Sequence, residues 1–526
     1  MRGIFRVMLV TLLAMSCSKV GMEPDYGINI GYGKNIPHDK IVLGERLDNP
    51  YTTENMTKAL VSLYPTKADR VELKPTDLYV RFLPKSDEEY RILEDMGLNL
   101  LDHPLDYSIV VDGDWYHDPK IPDGDVTWQY AVVPSDFSFP DIEYEVIDAC
   151  YIADNDHSTK SDGIDWEAVE RESYRLTGNE DRLADETLTK ASKVQPSGRI
   201  TIIDEHAYGG KPFGVAGVKI SCNSFVRFAS TYTDRDGYYT MDKKFTAKLR
   251  YRLVFKNEKG FAIGFNLILV PGSVSTLGKA DPNGINVTVT KDSESKLFRR
   301  CVVNNAAYDY YQRCSEEDMG IAVPPSDLRI WLLNGMDASS ASMLHHGTIL
   351  RGSALAKFLG KFAPLVEAFL PDITIGTKEK DEYRELYSVV CHELAHASHF
   401  KTVGLGFWNQ YICYIVESFI RSGGMTYGDG TTTGAGHCEI GEMWAYYLES
   451  RMFKDRYGGP FPTFGNSFWF YPQIFRYLDE RGVSVSQLFS VLKPEVVSKD
   501  ILKGALISAM PSKRNEVEQI FGRYGN

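Results

Sequence analysis

Residues 391–400 read CHELAHASHF, and within them His392, Glu393 and His396 have types and a spacing that can do chemistry together. On a helix, residues four apart lie on one face, so imidazoles at 392 and 396 can grip one metal ion. Glu393, offset around the helix, can reach a water on that ion. Zinc lowers the pKa of such a water to about 7, and a carboxylate beside it can take the proton as the water attacks a carbonyl. The expected chemistry is hydrolysis, with His392 and His396 as ligands to one Zn2+ per chain and Glu393 as general base.

The elements that must position these residues are partly readable. Residues 382–400 contain no Gly or Pro, and Leu386, Val390, Leu394 and Ala397 make an apolar stripe at helical spacing. The two histidines fall on the opposite side, so both faces of this helix should be buried. A catalytic zinc has three protein ligands plus water. Residues 436–453, GHCEIGEMWAYYLESRMF, predict a helix with Glu439, Glu442, Tyr446 and Glu449 near one face. We take Glu442 as the third ligand, because Ala445 on the next turn lets this helix approach closely; Glu417 and Glu439 are rivals. His399 is read as packing or as hydrogen bonding to the site. Tyr446, His437, Tyr447 and Tyr471 are candidate donors to the oxyanion of the transition state. Residues 338–350, with His345 and His346, could line the substrate, and the Gly-rich segment 422–436 could cover the cleft.

The H-E-x-x-H sequence with a distant Glu resembles the gluzincin group of zinc metallopeptidases, whose third-ligand helix often reads E-x-x-A, as Glu442 to Ala445 does. The resemblance implies peptide-bond hydrolysis on a peptide or protein substrate. Thermolysin-like members carry an Asp four residues after the ligand Glu, where this chain has Tyr446. The longer metzincin motif is broken, with Thr402 where its third His would stand.

The 526 residues suggest three to four domains at about 100–200 residues each. A composition of 43% hydrophobic and 25% charged residues is globular, and a net charge of −13 with no Lys/Arg cluster excludes nucleic-acid binding. Arg2, Arg6, an apolar run to Ala14 and then Cys17 form a secretory signal too short to span a membrane. It resembles the bacterial lipoprotein signal, which implies lipidation at Cys17 and anchoring in the cell envelope, at the outer membrane, on either face. The eight cysteines form no C-x-x-C pair and are assigned no chemistry.

The fold class expected is multidomain α+β. Residues 1–17 are the signal and 18–60 a Gly/Pro-rich tether. Residues 61–197 form an N-terminal α+β domain with a charged helical connector, resembling N-terminal domains of Bacteroidetes-type surface lipoproteins. Residues 198–294 predict a small β-sandwich with a turn at Asp234–Gly237, and GVAGVKIS with YTDRDGYYTM resembles carboxypeptidase regulatory-like domains. Residues 295–526 form a mainly helical, zincin-like domain with a small sheet, including a helix over 353–370. Two further readings stay open: a non-catalytic surface lipoprotein that binds glycan or protein on a zincin-derived scaffold, and a zinc hydrolase of non-peptide amides.

Overall fold

The computed structural model describes residues 40–68, 71–122, 126–156, 163–184, 193–264, 272–293, 295–315, 319–333, 339–348, 371–422 and 425–524. The signal, Cys17, the first part of the tether and the helix expected over 353–370 lie outside them. The chain is mixed α+β with several sheets.

The N-terminal region contains β1 (Val42–Arg46), α1 (Thr53–Leu63), β2 (Asp77–Phe82), α2 (Asp87–Asp95), β3 (Tyr107–Val111), β4 (Gln129–Pro134), β5 (Tyr144–Cys150) and α3 (Trp166–Leu176). Strands β4-β2-β5 make one antiparallel sheet, and β1 pairs with β3. Ser86 caps α2 as its sequence predicts, accepting from the Glu89 N–H. The tether expectation needs correction, since the folded chain already includes β1. Thr52 caps α1, which buries Met56, Ala59 and Leu60. Its apolar face is short and set in polar sequence, which hid it.

The middle region supplies β6 (Ser197–Ile202), β7 (Phe213–Gly214), β8 (Val218–Ser224), β9 (Arg227–Tyr232), β10 (Tyr238–Thr240), β11 (Leu249–Asn257), β12 (Ala262–Ile263), β13 (Val274–Ala280) and β14 (Asn286–Val289). Asp234 makes the expected turn, its Oδ1 accepting from the N–H groups of Asp236 and Tyr238. Then follow α4 (Ser295–Cys314), β15 (Arg329–Leu333), β16 (Ser340–Ala341), β17 (Ile373–Gly376), α5 (Tyr383–Ser422) and α6 (Ala435–Tyr457). Four shorter helices close the chain, from Gln473 to Phe521.

The boundary expected at 294/295 does not separate two sheets. One eight-stranded sheet runs β16-β17-β15-β12-β11-β8-β9, with β13 also on β11. It crosses the boundary where Ala262 and Ile263 of β12 pair in parallel with Arg329 and Ile330 of β15. A parallel strand such as β15, with Ile330 fully buried, needs neighbours on both edges and cover on both faces. Accordingly one core runs from Ile200 and Ile220 through Leu394 and Trp444 to Phe521. Cys150, Cys222, Cys301, Cys314, Cys391 and Cys438 are buried thiols outside any disulfide.

The expected connector is a packed helix. Glu170 of α3, 4% exposed, receives the Tyr51 hydroxyl (2.6 Å), the Thr246 hydroxyl (2.9 Å) and Arg227 (3.0 Å), with Lys193 at 3.1 Å. Burial works against its charge, but Arg227 and Lys193 outweigh it and draw its pKa from 4.5 to about 2. A depressed carboxyl stabilises the fold above the unfolded pKa and loses that contribution as pH falls through the folded one. Glu170→Gln is therefore expected to cost about 3 kcal/mol at pH 7, because Arg227 is left buried without its main partner. In urea unfolding the gap from wild type should close between pH 4.5 and pH 2. A gap independent of pH in that window would refute the ion-pair origin.

Candidate functional site

The stripe residues Leu386, Val390, Leu394 and Ala397 are all buried, which fixes the rotation of α5 and turns His392 and His396 toward α6. The two helices run antiparallel. Glu442 meets His396 and His392, and Glu449, two turns later, meets His392 and Ser388. The indole N–H of Trp444 donates to the Ala395 carbonyl, and fully buried Ala445 permits the close approach.

Three donors converge between the helices. Glu442 Oε2 is 3.5 Å from His392 Nε2, and Oε1 is 3.5 Å from His396 Nε2. One ligand atom from each of the three residues lies within 4.8 Å of the others. His392 Nδ1 faces Glu449 at 3.1 Å, and Glu449 also accepts from the Ser388 hydroxyl. That bond places the Nδ1 proton and turns Nε2 inward, where it makes no hydrogen bond. Glu393 is fully buried on the same helix. This His-His-Glu group could hold a metal ion.

The electrostatics favour a cation. Burial opposes a charge on His392, but Glu442, Glu449 and Glu393 outweigh it and push its pKa up to about 10. Burial likewise opposes Glu442, yet His396 and His392 pull it down to about 2. Carboxylates that hold a proton on His392 would also hold a metal cation at the same place.

Tyr411 belongs to the site and escaped the sequence reading. Its hydroxyl donates to Glu442 Oε1 at 2.6 Å, and its ring lies 5.6 Å from that of His396. Tyr411 is fifteen residues beyond His396, a distance of about 22 Å along a straight helix. The chain therefore doubles back inside α5, at Gly404, whose φ of 74° and ψ of 180° are open only to glycine. The returning segment also carries Trp408, which packs on His396 and donates to the Ala341 carbonyl of β16. The helical pattern read from the sequence covers residues 382–400, and it says nothing of where residues past it lie against the histidines.

Other expectations fall out as follows. Glu417 is partly exposed beside Arg421 (3.6 Å), and Glu439 accepts from the Lys499 backbone N–H, so neither rival joins the cluster. His399 is packing: it is buried against Phe407 and Trp408 with neither ring nitrogen hydrogen-bonded. Burial, with His396 nearby, pushes its pKa down to about 3, so it is neutral. Tyr446 lies at the site, its ring 4.4 Å from that of His392 and its hydroxyl 3.0 Å from that of Tyr427. Tyr427 comes from the Gly-rich segment, which thus covers this side. His437 packs on Phe407, Tyr447 donates to Asp479, and Tyr471 packs at a tilt on Tyr524, so none of these contacts is with the cluster. His346 is held by Asp372 and the Ser326 carbonyl.

A comparison with protein-family models and with curated proteins finds no match to the chain.

The geometry separates three roles in metal binding, readable by competition with a chelating dye. Glu442→Ala is expected to abolish tight binding of a divalent ion. Glu449→Ala should weaken it about 10–100-fold through His392. Glu417→Ala should leave it unchanged. Equal binding by Glu442→Ala and wild type would remove Glu442 from the site.

Proposed function

We propose that the chain is a zinc-dependent metallopeptidase of gluzincin type, hydrolysing peptide bonds with Glu393 as general base. The observation that carries this reading is the buried convergence of His392, His396 and Glu442. Two ligands about 2.1 Å from a tetrahedral ion stand about 3.4 Å apart, which suits the donor spacing here. Zinc at this position supplies Lewis acidity, polarising a carbonyl and lowering the pKa of water to about 7.

The chain's own residues do the rest. His392, His396 and Glu442 hold the ion, with Glu449 and Tyr411 orienting two of them. Glu393 takes the proton of the attacking water on its carboxylate and passes it to the leaving amine nitrogen. Tyr446, whose ring packs on that of His392, is our candidate donor to the developing oxyanion. Strand β16, last in its sheet among the described residues, would offer a peptide an edge to lie along. A lipid on Cys17 would carry the protein in the bacterial cell envelope. No described helix is long and apolar enough to cross a membrane.

One observation favours a second reading, a non-catalytic binding protein on a zincin-derived scaffold. The cluster residues are at most 3% exposed, so a peptide reaches them only if the cover formed by Tyr427 and its neighbours moves. Glu393→Gln decides between the two. The variant should keep its zinc, measured by elemental mass spectrometry, and lose at least about a hundredfold in cleavage of a peptide library. Wild-type cleavage by the variant would remove Glu393 from its role. Absence of cleavage by zinc-loaded wild type would leave the binding protein.

A further inference from the structure

The carboxylate of Glu442 lies between two imidazoles, one oxygen toward each. Oε1 is 3.5 Å from His396 Nε2, and Oε2 is 3.5 Å from His392 Nε2. By itself, such a carboxylate could meet a metal ion through one oxygen or through both. The choice matters for hydrolysis. Three protein ligand atoms around zinc leave a fourth position for water. A second oxygen from Glu442 would compete with water for that place.

Tyr411 breaks the symmetry. Its hydroxyl donates to Oε1 at 2.6 Å. A phenol has one proton to give, and the oxygen that accepts it has less electron density left for a metal ion. Packing keeps the hydroxyl where it is. Tyr411 is buried, and its ring lies 4.8 Å from that of Trp408 and 5.6 Å from that of His396. Trp408 is fully buried in turn and is tied to β16 by its indole N–H, 3.1 Å from the Ala341 carbonyl. The phenol is thus built into a wall, and it does not follow Glu442 when the carboxylate turns.

Given the zinc site proposed for this chain, we propose that Tyr411 is a positioning residue: it makes Glu442 a one-oxygen ligand through Oε2 and so keeps a coordination position open for water. Without the hydroxyl, both oxygens of Glu442 bind the ion. Loss of Tyr411 therefore adds a ligand atom, whereas loss of Glu442 removes one.

Cobalt(II) in place of zinc reports this difference. Four-coordinate cobalt absorbs visible light strongly, and the absorption weakens as further ligands join. The full chain, freed of metal and saturated with cobalt, should show the intense bands of a four-coordinate ion. Tyr411→Phe keeps all three ligand residues and should bind cobalt with weaker, shifted bands. Tyr414→Phe removes another buried hydroxyl of the same helix, one that donates to the Tyr427 carbonyl at 2.8 Å, and should match wild type. Should Tyr411→Phe not fold, Tyr411→Gln carries the same test, since its shorter and freer side chain holds Oε1 poorly and should also weaken the bands. Weak bands in wild type, bands equal to wild type in the folded Tyr411 variant, or an equal change in Tyr414→Phe would overturn the role of Tyr411 and leave the metal site standing. A wild type that takes up no cobalt would overturn both.

Discussion

A carboxylate held between two imidazoles, with no access to water, is the constraint on which the rest of this structure depends. Glu442 is fully buried, and an isolated buried charge is costly enough to unfold a domain. It survives because His392, His396 and the Tyr411 hydroxyl surround it. Each of these needs support in turn. His392 is oriented by Glu449, and Glu449 by Ser388. Tyr411 reaches its place only because Gly404 reverses the chain. The two helices close on one another where the Trp444 indole bonds to the Ala395 carbonyl. Requirements thus spread outward from one carboxylate to two helices, a turn and an edge strand.

The same logic explains why the helices sit on a sheet larger than their own region supplies. Strands β16, β17 and β15 are short, and a sheet of three such strands gives α5 little to rest on. Pairing with β12 joins them to β11 and β8, whose Leu253 and Ile220 enter the core that also contains Leu394. The middle region is therefore part of the foundation of the metal helices. Cutting the chain at 294 would strip β15 of a neighbour and open that core. Glu170 makes a comparable tie at the other end, where Tyr51, α3 and the sheet meet on one carboxylate.

What the sequence disclosed, and what it withheld, follows from the range of each signal. The His392/His396 spacing, the stripe from Leu386 to Ala397 and the Ser86 cap are local patterns within one element, and a local period is visible in a string of residues. Glu442 was reachable because Ala445 implied a close helix pair. Tyr411 was not, since its place depends on one glycine's backbone angle and on what the chain meets afterwards. Strand β12 has two residues, too few to carry an alternating pattern, so the joining of two sheets through it left no trace. Glu449 shares a face with Glu442, but nothing in its type distinguishes a carboxylate that orients a histidine from one that faces solvent. Residues 42–63 mislead for the opposite reason, because Gly, Pro and Asn around them outweigh the few apolar residues that pack.

The clusters around Glu442 and Glu170 settle the cost of buried charge in different ways, and the difference bears on function. Around the metal-binding group, carboxylates outnumber the cations that face them, so the place is poised for positive charge, and proton and metal compete for it. Around Glu170 the charges close within the fold, where Arg227 and Lys193 meet one carboxylate. The Glu170 cluster is thus complete within the fold, whereas the His-His-Glu group is one that a cation from outside could complete.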